Sequence, residues 1–173
     1  MRTIPDPGFS GDDGAVSPQV AGAMAAYADD PDGLHHHTLA VLQDSRLLVP
    51  VVAVLGEVEY DDLGLAHDKT SDMATVLMRG RDGRMALLAF TGDEPLSRWD
   101  PGARPVPVTA RQAAQAAVHD EADALLVDVA GPALLVVEGE DLRSLAEGYR
   151  LVGAGDRWAW AKVNESAADE PAR

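Results

Sequence analysis

The tetrapeptide Gly80–Arg81–Asp82–Gly83 constrains this chain more than any other feature. Short apolar segments flank it, Thr75 to Arg79 before and Arg84 to Phe90 after. An Asp-Gly pair in that setting is a strong hairpin signal, because glycine supplies the backbone angles a tight turn needs. The surrounding stretch, Ala74 to Val108, continues into a short helical turn capped by Thr91 or Asp93, reaching Leu96 and ending near Trp99–Asp100–Pro101. It then enters Arg104 to Val108. Pro105 and Pro107 there cannot donate to a ladder, which places the segment at a sheet edge or in a crossover. Trp99 is expected to close the end of the core.

Upstream, residues 1–16 are rich in Gly, Pro and Asp without periodicity and read as a flexible arm. Ser17 and Pro18 then start a helix. Val20, Ala23, Met24 and Tyr27 form its apolar face, and it stops near Asp29–Asp30–Pro31. Asp32 is the expected cap of a second helix, with Leu34, Thr38, Val41 and Leu42 on one face. Leu47 to Leu55 is a continuous Val-rich run, the pattern of a strand buried on both faces, with Pro50 calling for a bulge or an unpaired position.

Downstream, Thr109 and Gln112 make a capping box. Ala110, Ala113, Ala114, Ala117 and Val118 give the following helix a small-residue face that allows close approach to a sheet. Ala124–Asp128 and Ala133–Val137 read as buried strands on either side of Gly131–Pro132. A short helix follows from Asp141 to Glu147, with Leu142, Leu145 and Ala146 inward and Gly148 at its end. Residues 149–163 add a last strand with Trp158 and Trp160 on one face. These readings give one α/β (α+β) domain over residues 17–163. It has two N-terminal helices, a mixed sheet of about five or six strands, an antiparallel hairpin at 75–90 and further helices on the sheet. Segment 106–128 is expected to form a parallel crossover if both its ends join one sheet, and residues 164–173 read as a disordered tail.

Composition narrows function mainly by exclusion. A net charge of −15 repels phosphate backbones and anionic bilayers, so neither nucleic acid nor membrane is an expected partner. The absence of cysteine removes disulfides, thiolate catalysis and zinc–thiolate sites, and suits a cytoplasmic setting. No GxSxG turn or phosphate loop is present, and no catalytic residue, cofactor site or metal site is assigned. His67 and His119 are lone histidines. Asp120–Glu121–Ala122–Asp123 spells a helicase box without the phosphate loop such a box requires, and Gly153–Ala154–Gly155 lacks the setting of a dinucleotide fingerprint. His35, His36 and His37 are consecutive on a helix, splay by about 100° and cannot all meet at one metal; His37 should lie nearest the apolar face. Glu57, Glu59, Asp61 and Asp62 lie in an acidic connection, 56–73, without the spacing of a calcium loop. The cluster kept as a candidate interaction surface is Lys69, Ser71 and Asp72 with Arg98, Trp99 and Arg104, cations and an indole of the kind enriched where proteins dock.

The segments LLVPVVAVLG, DKTSDMATVL, DGRMALLAFT, RWDPGARPVPVT and LLVDVAGPALLVVEG, in that order, closely resemble actinobacterial proteins carrying the SseB N-terminal domain. The resemblance covers about residues 17–150. It implies a cytoplasmic α/β domain and carries over no catalytic residue. The expectation is a non-enzymatic protein-interaction or regulatory module, acting on a protein partner or a second copy of the chain. A small-molecule or anion sensor is the alternative.

Overall fold

The computed structural model describes residues 8–54, 59–60, 66–67 and 72–163. In chain order the elements are α1 (Pro18–Asp29), α2 (Pro31–Leu42), β1 (Arg46–Val54), β2 (Glu59–Tyr60), β3 (Ala66–His67), β4 (Asp72–Thr75), β5 (Leu77–Arg79), β6 (Met85–Ala89), α3 (Asp93–Trp99), β7 (Arg104–Thr109), α4 (Ala110–His119), β8 (Ala124–Val127), β9 (Leu135–Glu138), α5 (Gly139–Glu147), β10 (Tyr149–Ala154) and β11 (Arg157–Lys162). The fold is α+β.

Two sheets carry it. One runs β4-β1-β7 and is antiparallel; the other runs β5-β6-β8-β9 and is mixed, with β6 and β8 parallel. Leu48 and Phe90 join them by exchanging both backbone hydrogen bonds at 2.8 Å. Residues 72–79 pair first with β1 and then with β6, so one run of chain serves both sheets. The condition for a crossover over 106–128 is not met: β7 joins the β1 sheet and β8 the other, where its parallel partner is β6. Proline explains the position of β7, which is an edge strand. Pro50 sits inside an unbroken register opposite Pro105 rather than at a bulge.

Strand periodicity builds two cores. Leu47 and Val49 on β1, with Leu87 and Ala89 on β6, point into the larger cluster, which also takes side chains from α1, α2, α4 and α5. Leu48, Leu88 and Phe90 alternate to the other face and join Leu96 of α3, with Trp99, Val76 and Met78 packed against them. Leu47 to Pro50 are therefore apolar without alternation because both faces of β1 are covered there. Ala110, Ala113, Ala114 and Ala117 are all essentially inaccessible on α4, whereas Val118, expected inward, is 48% exposed.

Local chemistry sets the boundaries. The Ser17 hydroxyl caps α1, and Val20, Ala23, Met24 and Tyr27 are its buried face, as the spacing requires. Asp30 rather than Asp32 caps α2, because Pro31 takes the first helical position and Asp30 Oδ1 accepts from Gly33 N at 3.0 Å. The Thr109–Gln112 capping box opens α4. Glu121, in the left-handed region at φ 56°, turns the chain from α4 into β8. The Asp-Glu-Ala-Asp run is that turn: Asp123 exchanges hydrogen bonds with the Met85 backbone, and Asp120 accepts from the Thr75 hydroxyl.

Residues 149–162 form two strands, not one, paired as a hairpin. Trp158 and Trp160 both pack against the larger core. The hairpin is also held by Gln43, whose side-chain amide donates to Leu151 O at 2.9 Å and accepts from Leu151 N at 2.8 Å. The second half of the expected N-terminal arm is anchored. Arg46 meets Asp12 at 2.6 Å and donates to Ala15 O, and Asp93 N donates to Gly14 O at 2.8 Å. Lys69, Ser71, Glu57, Asp61, Asp62 and residues 164–173 lie outside the described residues.

Candidate functional site

A cleft of about 590 Å³ opens where the parallel strands β6 and β8 end. Carboxyl ends of parallel strands are where open α/β sheets hold ligands, since the chain diverges there and leaves a crevice. Val16, Met24 and Ala25 form one wall, Glu94, Pro95 and Arg98 of α3 another. The floor comes from the turn after β8, where Asp128 lies beside Thr91. Tyr27 draws α1 over this turn through a hydroxyl bond to Leu134 O.

Asp128 is the unusual group. It is 5% exposed and takes the left-handed conformation at φ 59°, which Asp tolerates better than most residues. Its backbone N continues the ladder to Ala89 O, and its carbonyl accepts from Gly131 N, closing the turn. Its two carboxylate oxygens accept from Thr91, Oδ1 from the amide at 2.8 Å and Oδ2 from the hydroxyl at 2.7 Å. Burial pushes the carboxyl above the ordinary range, while the Thr91 bonds and the Arg98 charge pull the other way. The expectation that Thr91 or Asp93 caps α3 is corrected: Gly92 holds that position, and Thr91 is engaged with Asp128.

Among the described residues, the members of the expected interaction surface are dispersed. Arg98 points to the cleft and pairs with Glu94 one turn earlier at 2.7 Å. Its neighbour Trp99 turns the other way and stacks near Phe90, ring centroids 5.5 Å apart, in the smaller core. Arg104 is exposed at the start of β7, opposite Val51. Asp72 opens β4, opposite Val54. Thus Arg98 and Trp99, adjacent in sequence, serve different faces of α3.

The three histidines also separate. His35 Nε2 lies 3.2 Å from Asp141 Oδ2 and His36 Nε2 lies 3.6 Å from the same oxygen. His37 is exposed with its ring 6.3 Å from that of Trp158, so His35 rather than His37 is the half-buried member. Sequence pattern did not mark Asp128 or Glu94 as site residues, and it offered Thr91 only as a helix cap. The signal that existed was a lone Asp ending the apolar run Ala-Leu-Leu-Val, a position that a parallel strand makes functional and an antiparallel strand does not.

No helix among the described residues is long and apolar enough to cross a membrane. A family model described as the SseB protein N-terminal domain matches residues 20–144. No curated protein and no solved structure matches the chain.

Proposed function

The chain belongs to the SseB protein N-terminal domain family, and from that premise we propose that it is a non-enzymatic regulatory module that binds a small molecule in the β6–β8 cleft. The observation that carries this reading is the cleft itself, within the 300–1,000 Å³ typical of ligand sites and floored by a nearly inaccessible carboxyl group. Its walls are mainly apolar, from Val16, Met24, Ala25, Pro95 and Pro132. Its polar groups are Glu94, Asp128, Thr91 and Arg98, two acids against one base. That balance favours an occupant with an apolar body and one hydrogen-bond-donating or cationic head, and the −15 net charge raises the local concentration of such a species. Thr91 already occupies both oxygens of Asp128, which favours a fixed acceptor over a proton shuttle. Binding of this kind stabilises the folded state and would transmit occupancy to a partner; a cytoplasmic setting belongs to the same proposal.

The test is a thermal-shift and NMR screen of primary amines with branched or aromatic bodies, beside their carboxylate counterparts. Amine-selective stabilisation, lost in Ala25→Trp, which fills the cleft from an exposed helix position, supports the reading. A folded chain that binds neither series overturns it.

A further inference from the structure

A second constellation lies away from the cleft and uses different elements. His35 and His36 stand on α2, Asp141 in the first turn of α5, and one ligand atom from each falls within a 4.8 Å span. Adjacent helical side chains diverge at the backbone, but two imidazole rings are long enough to converge again beyond it. Their rings meet edge to face with centroids 5.2 Å apart. Both Nε2 atoms address one carboxylate oxygen, at 3.2 and 3.6 Å. The 3.2 Å contact between His35 and Asp141 is a hydrogen bond, and an ion can take its place with little movement, because two ligands on a tetrahedral ion at zinc–nitrogen distances stand about 3.4 Å apart.

The carboxylate is also oriented from behind. Trp160 Nε1 donates to Asp141 Oδ1 at 2.9 Å, which turns Oδ2 toward the histidines. A second hydrogen bond that fixes a ligand's direction is the common accompaniment of protein metal sites. Asp141 is 18% exposed, His35 27% and His36 46%, so the site is walled on one side and open on the other. That leaves room for water to complete the coordination.

We propose that His35, His36 and Asp141 form a binding site for one divalent transition cation of the zinc class. Two imidazoles and one carboxylate select such ions over calcium or magnesium, which require oxygen donors. The ion would tie α2 to α5 and, through Trp160, to β11. The inference is independent of the cleft and of any ligand in it.

The experiment uses the full, untagged chain after chelator treatment, titrated with Zn²⁺ by calorimetry and by thermal shift, with Ca²⁺ as comparison. One equivalent should bind and raise Tm, Ca²⁺ should not, and Co²⁺ should give tetrahedral visible absorption bands. His36→Ala, at an exposed position, should abolish the binding without unfolding the chain. Trp160→Phe should weaken it by about 10- to 100-fold, and His37→Ala should leave it unchanged. No stoichiometric binding, or binding that persists in His36→Ala, overturns the site and leaves only diffuse attraction to an acidic surface.

Discussion

Thr91 gives both its amide hydrogen and its hydroxyl hydrogen to Asp128, one to each carboxylate oxygen. The pair ties the end of β6 to the end of β8 at the floor of the cleft, where Thr91 is 4% and Asp128 5% exposed. Asp128→Ala leaves two buried donors unpaired, a loss of roughly 1–3 kcal/mol each in such settings. It also places a residue with a bare Cβ at a left-handed position. Asp128→Asn keeps an acceptor for the amide and tolerates the backbone, so its loss should be clearly smaller. Urea unfolding of the three proteins checks the order.

The same carboxyl gives a sign for pH. Its folded pKa is raised by burial, so the folded state holds the proton more tightly than the unfolded state. Its contribution to stability therefore grows as pH falls through the raised folded value and is complete below the unfolded value of about 3.9. It is lost as pH rises through the folded value. Relative to Asp128→Asn, the natural chain should gain stability on acidification across that window. An unchanged difference between the two at pH 7 and pH 4 would contradict the assignment.

Gly92 has extended backbone, which any residue can adopt, so its requirement is one of space. An added Cβ would lie 2.9 Å from both Gly14 O and Val16 N, and 2.6 Å from Val16 Cγ2. Gly92→Ala should displace residues 14–16 from α3 and open the Val16 wall of the cleft. Hydrogen exchange should show faster exchange at Asp93, whose amide donates to Gly14, with the core amides of β6 unaffected.

The capping box of α4 supplies a smaller effect. Thr109→Ala removes the acceptor of Gln112 N and should cost about 1 kcal/mol in chemical denaturation. Gln112→Ala removes the reciprocal bond to Thr109 N and should cost less, because that amide lies where water can replace the side chain.

Ala114 is inaccessible where α4 packs against the sheet. Ala114→Leu adds three carbons where no space exists and should destabilise by about 1–3 kcal/mol. Ala116, half-buried on the same helix, should accept a larger side chain with a lesser effect.

Local signals were legible in the sequence wherever a single residue type does a single physical job. The hairpin at Gly80–Gly83, the Ser17 and Thr109 caps, the inward face of α1 and the edge position of β7 follow from turn, cap and proline chemistry. What escaped depends on topology. Nothing in Arg104–Thr109 says that β7 pairs with β1 while β6 pairs with β8, because that choice is made by distant partners. Asp128 gains its role only once β6 and β8 are known to be parallel. His35 and His36 gain theirs only when α5 delivers Asp141 from 106 and 105 positions away. Trp99 and Arg98 read as one patch in sequence, yet a helix turns neighbours through about 100° and assigns them to a core and a cleft.

The Gln43 amide that grips Leu151 on both its backbone groups behaves as a one-residue strand, offering the hairpin edge a donor and an acceptor in register. Its consequence concerns where the folding unit ends. The family match closes at residue 144, inside α5, yet the grip, the buried Leu151 and the two indoles all come later in the chain. A chain cut at 144 would keep every motif by which the family is recognised and still expose the underside of α2. The family match and the packed core have different borders in this protein, and the core takes side chains from as far as Trp160 of β11.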